Sequence, residues 1–310
     1  MFIINFIRGF FMALADSVPG VSGGTIAFIL GFYDDFIGSL NSLISKDGIE
    51  DKKKSLVFLI KLGIGWITGM VLSVLILSSI FDEHIYSISS LFTGFIIVAI
   101  PLIMREEKDS LIGKYKNIIF TIIGALIVVL ITYFNPSGSN GGLNLSLEHL
   151  NFGTGIFVFV AGMIAISAMV LPGISGSTLL LIFGLYTGII SAIKEVLSLN
   201  FSYLPILIIF GLGVIVGILS TIKIIKFLLN RYRSAMIYLI LGLMLGSIYA
   251  VFMGPTTLET PKPAMNFSSF SWIFFIVGGA IIVVLEKSKD FLEKSLNKKK
   301  VITKRKYFNK

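Results

Sequence analysis

Polar residues able to bind or react gather in two short stretches of an otherwise oily chain, "ADSVPGVSGGT" at 15–25 and "AMVLPGISGST" at 168–178. Pro19 and Pro172 donate no backbone hydrogen bond, and the glycines after them accept dihedrals that other residues avoid, so each stretch predicts a break in a helix. Inside lipid such a break frees N–H and C=O groups that must find partners in protein or line a polar cavity. Ser22 and Thr25, and Ser175, Ser177 and Thr178, are natural caps for a helix returning from each break. Two helix starts meeting near mid-membrane, lined by these hydroxyls, by Ser17 and by the N–H groups of Gly20, Gly23, Gly24, Gly173 and Gly176, make an anion site suited to phosphate. One such stretch alone reads equally as a kink or a packing surface. The second copy favours the site.

Charges near these breaks are few. Asp16 stands where the second stretch has Met169. An acid there either faces a cavity and carries a proton or sodium ion, or caps the hairpin tip by accepting from loop N–H groups. Arg8, eight residues earlier, either snorkels to the headgroups or receives phosphate from that side. Lys61 reads as a snorkelling side chain. Asp34 and Asp35 are expected at the interface, where the first returning helix ends. Tyr33 and Tyr186 either close the cavity or belong to an aromatic belt.

Other chemistries find little support. The chain has no cysteine, which removes disulfides and thiolate chemistry, and its two histidines share no ligand spacing, so no metal or cofactor is expected. "SLIGKY" at 110–115 lacks the upstream glycine and following Ser/Thr of a phosphate-binding loop. A serine nucleophile would need acids and an arginine beside it, and neither Pro-Gly-x-Ser-Gly motif contains Glu or Arg.

The elements that must position these stretches are membrane helices. Of 310 residues, 55% are hydrophobic and 14% charged, with a mean hydropathy of +0.93, the composition of an all-α polytopic membrane protein. Apolar runs at 56–81, 88–104, 117–134, 205–229, 236–253 and 270–286 predict six spans. Residues 2–15 and 158–170 number about 14 and 13, short of the roughly 20 that a span requires, so 2–40 and 158–193 are expected as re-entrant hairpins with returning helices 25–40 and 178–193. Ala13-Leu14-Ala15 resembles a signal-peptide cleavage site, but no basic residue precedes the apolar stretch and the segment belongs to a repeat.

That repeat covers most of the chain. Aligning Pro19 with Pro172 also pairs Gly9 with Gly162, Gly31 with Gly184 and Tyr33 with Tyr186. Further on, "LGIGWITG" parallels "GLGVIVG", Gly94 falls on Gly242, and "GALIVVL" at 124–130 parallels "GAIIVVL" at 279–285. Residues 1–134 and 155–287 are thus two copies of one unit, each a hairpin and three spans. An odd number of crossings inverts one copy against the other, the build of many secondary transporters. Gly65/Gly69, Gly213/Gly217 and Gly242/Gly246 read as helix-packing surfaces.

The net charge of +9 is unevenly spread. Lysines and arginines fill 46–54, 105–116, 223–233 and 287–310, whereas the other loops hold only Lys194 and Lys262. This positive-inside pattern places the first group and both termini in the cytoplasm, 135–154 outside as a linker, and 288–310 as a basic cytoplasmic tail beside anionic lipid rather than nucleic acid.

The quoted stretches, "DSVPGVSGGTIAFILGFYDDFI" and "LPGISGSTLLLIFGLYTGII", closely resemble the bacterial polyprenyl-phosphate transporter family. The family motif maps onto Asp16, Pro19, Gly20, Ser22, Gly23, Gly24 and Thr25, and onto Pro172, Gly173, Ser175, Gly176, Ser177 and Thr178. The resemblance implies a flippase of the bacterial cytoplasmic membrane returning undecaprenyl phosphate from the outer to the cytoplasmic leaflet, recycling the lipid carrier of cell-wall synthesis. The phosphate would occupy the midplane site by alternating access, its tail remaining in lipid. The rival readings are an ion-coupled secondary transporter of a small anion and, less well supported, an intramembrane polyprenyl-diphosphate phosphatase.

Overall fold

Within lipid, a backbone must satisfy its own hydrogen bonds, and a chain this apolar does so as helices. The computed structural model describes residues 2–16, 22–46, 48–73, 78–134, 151–173, 176–257, 261–284 and 287, and among them there is no strand. The helices are α1 (Phe2–Asp16), α2 (Gly23–Ile29), α3 (Tyr33–Ile44), α4 (Ile49–Leu72), α5 (Ser78–Glu106), α6 (Lys108–Leu111), α7 (Ile118–Tyr133), α8 (Phe152–Val170), α9 (Gly176–Ile182), α10 (Tyr186–Leu197), α11 (Leu204–Arg231), α12 (Arg233–Met253) and α13 (Trp272–Val284). Six stretches among the described residues are long and apolar enough to cross a membrane: Ile49–Leu72, His84–Glu106, Tyr115–Tyr133, Phe152–Val170, Phe201–Arg231 and Arg233–Thr256. The protein is an all-α polytopic membrane protein.

Several boundaries differ from expectation, each for a local reason. Helix α4 starts at Ile49 inside the basic cluster, with Glu50 and Asp51 in its first turn where the helix dipole favours acids. Helix α5 runs through the expected loop at 82–87 and leaves helical geometry only at His84. Helix α8 has 19 residues because Asn151 caps it, its Oδ1 accepting from Thr154 N–H at 2.8 Å, so it begins before 158 and is long enough to span. Of the expected span 270–286, α13 covers Trp272–Val284 among the described residues.

Neither returning arm is the single helix expected. Helices α2 and α9 are seven residues each and stop at Gly31 and Gly184, whose φ angles of 64° and 65° lie in the left-handed region. The turns match bond for bond: Phe32 N–H donates to Ala27 C=O at 3.0 Å, and Leu185 N–H to Leu180 C=O at 2.8 Å. These are the long closing bonds of a glycine-terminated helix. Asp34 and Asp35 consequently open α3 instead of ending a longer helix, and α10 starts at Tyr186 in the same way.

Glycines set the packing, as their spacing predicts. A Cβ on Gly65 would strike the Phe6 carbonyl and one on Gly69 the Phe10 carbonyl, so α1 lies backbone to backbone on α4. Helices α8 and α11 repeat this arrangement, with Gly213 on Phe159 and Gly217 on Met163. The remaining pairs cross between the repeats. Gly242 of α12 abuts Thr121 of α7, and Gly94 of α5 abuts Phe275 of α13. Likewise Gly124 meets Leu239, and Gly278 meets Leu91. The packing thus equates Gly124 with Gly278, one residue before the glycine that the sequence alignment chose. Helix α12 is enclosed along its length, while Ile67, Ile122, Ile215 and Ile276 of α4, α7, α11 and α13 present an apolar surface suited to lipid.

Candidate functional site

Helix α1 ends at Asp16, and the carboxylate stays inside the protein. Its Oδ1 accepts from the N–H of Gly23, the first residue of α2, at 2.6 Å, and its Oδ2 accepts from the indole N–H of Trp66 on α4 at 2.9 Å. Of the two roles open to Asp16, the structure displays the capping one: a carboxylate satisfied by a tip N–H. The second hairpin has no such acid. Gly176 lies against Met169 in the way Gly23 lies against Asp16, and a Cβ on Gly176 would come within 3.5 Å of the Met169 Cβ.

The two tips touch. Val170 and Leu171 end α8, where carbonyls lack helical partners. Hydroxyls of the first hairpin satisfy them: Tyr33 Oη donates to Val170 C=O at 3.2 Å and Ser22 Oγ to Leu171 C=O at 3.1 Å. Ser22 also caps α2, accepting from Thr25 N–H at 3.2 Å. Since the Ser22 hydrogen is committed to Leu171, the 3.1 Å contact between the two hydroxyls is a donation from Thr25 to Ser22. Thr25 Oγ1 in turn accepts from Gly173 N–H at 2.8 Å. Ser22 and Thr25 are both 0% exposed, so this closed circuit is shielded from water as well as fully paired. Small residues permit the approach. A Cβ on Gly24 would come within 2.6 Å of the Val170 carbonyl oxygen, and Gly173, at φ 92°, adopts a backbone that other residues resist.

Among the sequence-derived candidates, Ser22, Gly24 and Thr25 therefore meet the segment from Val170 to Gly173, while Asp16 and Gly23 pair with each other within the first tip. Ser17, Pro19, Gly20 and Ser175 lie outside the described residues, as do the side chains of Ser177, Thr178 and Tyr186. Arg8 stands apart. It lies about 12 Å down α1 from Asp16 by helical rise, stacks its guanidinium 4.7 Å from the Phe32 ring centroid and donates to Asn5 Oδ1 at 3.3 Å. Tyr33, only 2% exposed, is no part of an interfacial belt.

Trp66 escaped the sequence reading, although a signal was present. It replaces Val214 of the second "G-x-G" segment, an asymmetry parallel to Asp16 against Met169. A second missed cluster lies at the basic face. Arg233 donates through Nε to Glu107 Oε2 at 3.0 Å, bonds Glu107 Oε1 through Nη2, and lies 3.0 Å from Asp34 Oδ2. Burial of Glu107 works to raise its pKa, but the Arg233 hydrogen bond and charge, with the Ser110 hydroxyl, outweigh it and hold the carboxyl below its usual range.

Comparison with known proteins agrees with this arrangement in extent. The chain is 37% identical over 289 residues to a polyprenyl-phosphate transporter of Staphylococcus aureus, covering 91% of this chain and 95% of that one. A protein of Vibrio cholerae with the same name is 34% identical over 202 residues, 62% of this chain and 61% of that one. No solved structure matches. The family model for VCA0040-like, undecaprenyl phosphate translocase-like proteins matches residues 12–269, which takes in both tips and all of α2 to α12. By that match and by its relatives, the chain belongs to the VCA0040-like, undecaprenyl phosphate translocase-like family.

Proposed function

We propose that this chain transports a polyprenyl phosphate across the bacterial cytoplasmic membrane, returning undecaprenyl phosphate from the outer to the cytoplasmic leaflet. Two relatives are named polyprenyl-phosphate transporters, which supports the substrate class. The observation that carries the mechanism is the contact of two hairpin tips through Ser22, Thr25, Leu171 and Gly173. Tips from two repeated units meeting in one place make a joint where a site can be exposed to either side in turn. Equivalent packing of α1 on α4 and of α8 on α11 supports two units with three spans and a hairpin each, inverted against one another. The basic loops and both termini then face the cytoplasm.

The asymmetry of the tips divides their labour. At the first tip, Asp16 already supplies the anion to Gly23, and the hydroxyls of Ser22 and Thr25 are committed to the second hairpin. We assign the lipid phosphate chiefly to the second tip, to Ser175, Gly176, Ser177 and Thr178, where Met169 brings no competing charge, and to Gly173 once its N–H leaves Thr25. We extend the phosphate-binding role to Ser17, Gly20, Gly23 and Gly24 of the first motif, and to Arg8 as a guide for phosphate at the cytoplasmic end. Asp16 couples transport to a proton or sodium ion by leaving and regaining its two donors.

The test is purified protein in liposomes holding labelled undecaprenyl phosphate in one leaflet. Appearance of intact lipid phosphate in the other leaflet, abolished by Ser175→Ala with Ser177→Ala, is the expected result. Release of inorganic phosphate, or uptake of a soluble anion without lipid movement, would sink the proposal. Asp16→Asn should remove the dependence on proton or sodium gradients, and transport unaltered at every gradient would remove the coupling role.

A further inference from the structure

Helix α3 opens on two adjacent residues with opposite attachments. Tyr33 points inward to Val170 of the second hairpin, whereas Asp34 points outward to Arg233, the first residue of α12. Arg233 also grips Glu107, at the joint between α5 and α6, through two of its nitrogens. Other bonds tie the neighbouring segments to α12: Tyr238 Oη donates to Leu111 C=O of α6 at 3.1 Å, and Asn117 Nδ2, just before α7, to Ser234 Oγ at 2.7 Å. Arg233, Glu107 and their neighbours thus form one firm block, and Asp34 is the acid that reaches it from the first hairpin. A two-pronged hold on Glu107 fixes the guanidinium plane, and Nη2, which bonds Glu107, also reaches Asp34.

We infer that Asp34, Arg233 and Glu107 form a latch that holds the first hairpin against α12 at the basic face, and that opening this face requires Asp34 to leave Arg233 while Arg233 stays on Glu107. The inference rests on the alternating-access reading proposed above. Exposure says which arm yields: the Glu107 side chain is 18% exposed and that of Asp34 is 54%. A water-exposed ion pair is weak and is weakened further by salt, as a releasable catch must be. Neither charge is repeated at the matching position of the other copy of the sequence. By the register that equates Gly94 with Gly242 and Gly31 with Gly184, the counterpart of Arg233 is the fully buried Ile85, and that of Asp34 is Thr187.

The absence of cysteine allows a direct test, since two introduced thiols are the only ones labelled. Gly38→Cys on α3 offers open space, with nothing within 4 Å of an added Cβ, and Ile112→Cys, at a residue 66% exposed, marks the α6 block. Nitroxides at both report the distance across the latch by pulsed electron resonance in liposomes. Asp34→Asn should enlarge the longer-distance population roughly two- to fivefold, the range expected for loss of an exposed ion pair. About 1 M salt should move the unsubstituted chain in the same direction without any substitution. A distance distribution unchanged by both treatments overturns the latch. A shift with Asp34→Asn, in liposomes where the unsubstituted chain moves no lipid phosphate, would overturn the transport reading instead.

Discussion

Asp16 is a charge whose neighbours are chosen for it. A part-buried carboxylate is tolerable when donors meet it, and here Gly23 and Trp66 are those donors. The second repeat omits acid and indole together, as Met169 and Val214. Trp66→Phe, which keeps the ring and removes the N–H, should cost about 1–3 kcal/mol in detergent unfolding. Asp16→Met with Trp66→Val copies the second repeat, and a double-mutant cycle should give about 0.5–3 kcal/mol of coupling between the sites. Additive losses would show that the two residues act separately. At the basic face, Glu107 makes a pH-dependent contribution. Because folding lowers its pKa from 4.5, its stabilisation is complete above that value and is lost as pH falls through the lowered one. Unfolding followed from pH 7 to pH 3 should show a smaller acid loss in Glu107→Gln than in the unsubstituted chain.

At the scale of elements, the short helices α2 and α9 show what one residue can set. Gly31 and Gly184 end them at matching positions, and both lie where a side chain costs about 1–2 kcal/mol. Gly31→Ala and Gly184→Ala should each lower the unfolding midpoint, whereas Gly38→Ala, in a helix with open space around it, should raise it slightly. Equal effects at all three would deny the turns their role. These breaks were legible in the repeated "GFY" and "GLY" triplets, yet apolar periodicity on both sides favours one continuous helix. The start of α8 at Asn151 was likewise written as a cap. The kink at His84 was not, because neither proline nor glycine stands there to announce it. Ser22 and Thr25 were legible as caps, but their service to Leu171 and Gly173 joins residues about 150 positions apart, which no local pattern encodes.

For the whole molecule, the orientation proposed from the repeat and the charge pattern is one that labelling can check. In intact cells a membrane-impermeant maleimide should reach Phe267→Cys, at a residue 87% exposed, and should reach Lys53→Cys only after the membrane is opened. The reverse order would turn the protein over. The internal alignment reads as two halves but says nothing of how their helices pair, since packing between distant helices is decided by three-dimensional fit. Helix α7 leans on α12, and α13 leans on α5, so each half lends its last helix to the other. This exchange bears on how the protein is made. When α5 and α7 leave the ribosome and enter the membrane, the helices that cover their glycine faces have not yet been translated. They must wait through more than a hundred residues of synthesis, until α12 and then α13 arrive. A nascent chain halted between the halves would expose two unpaired backbone seams to lipid, a mark by which membrane quality-control proteases can distinguish unfinished copies from finished ones.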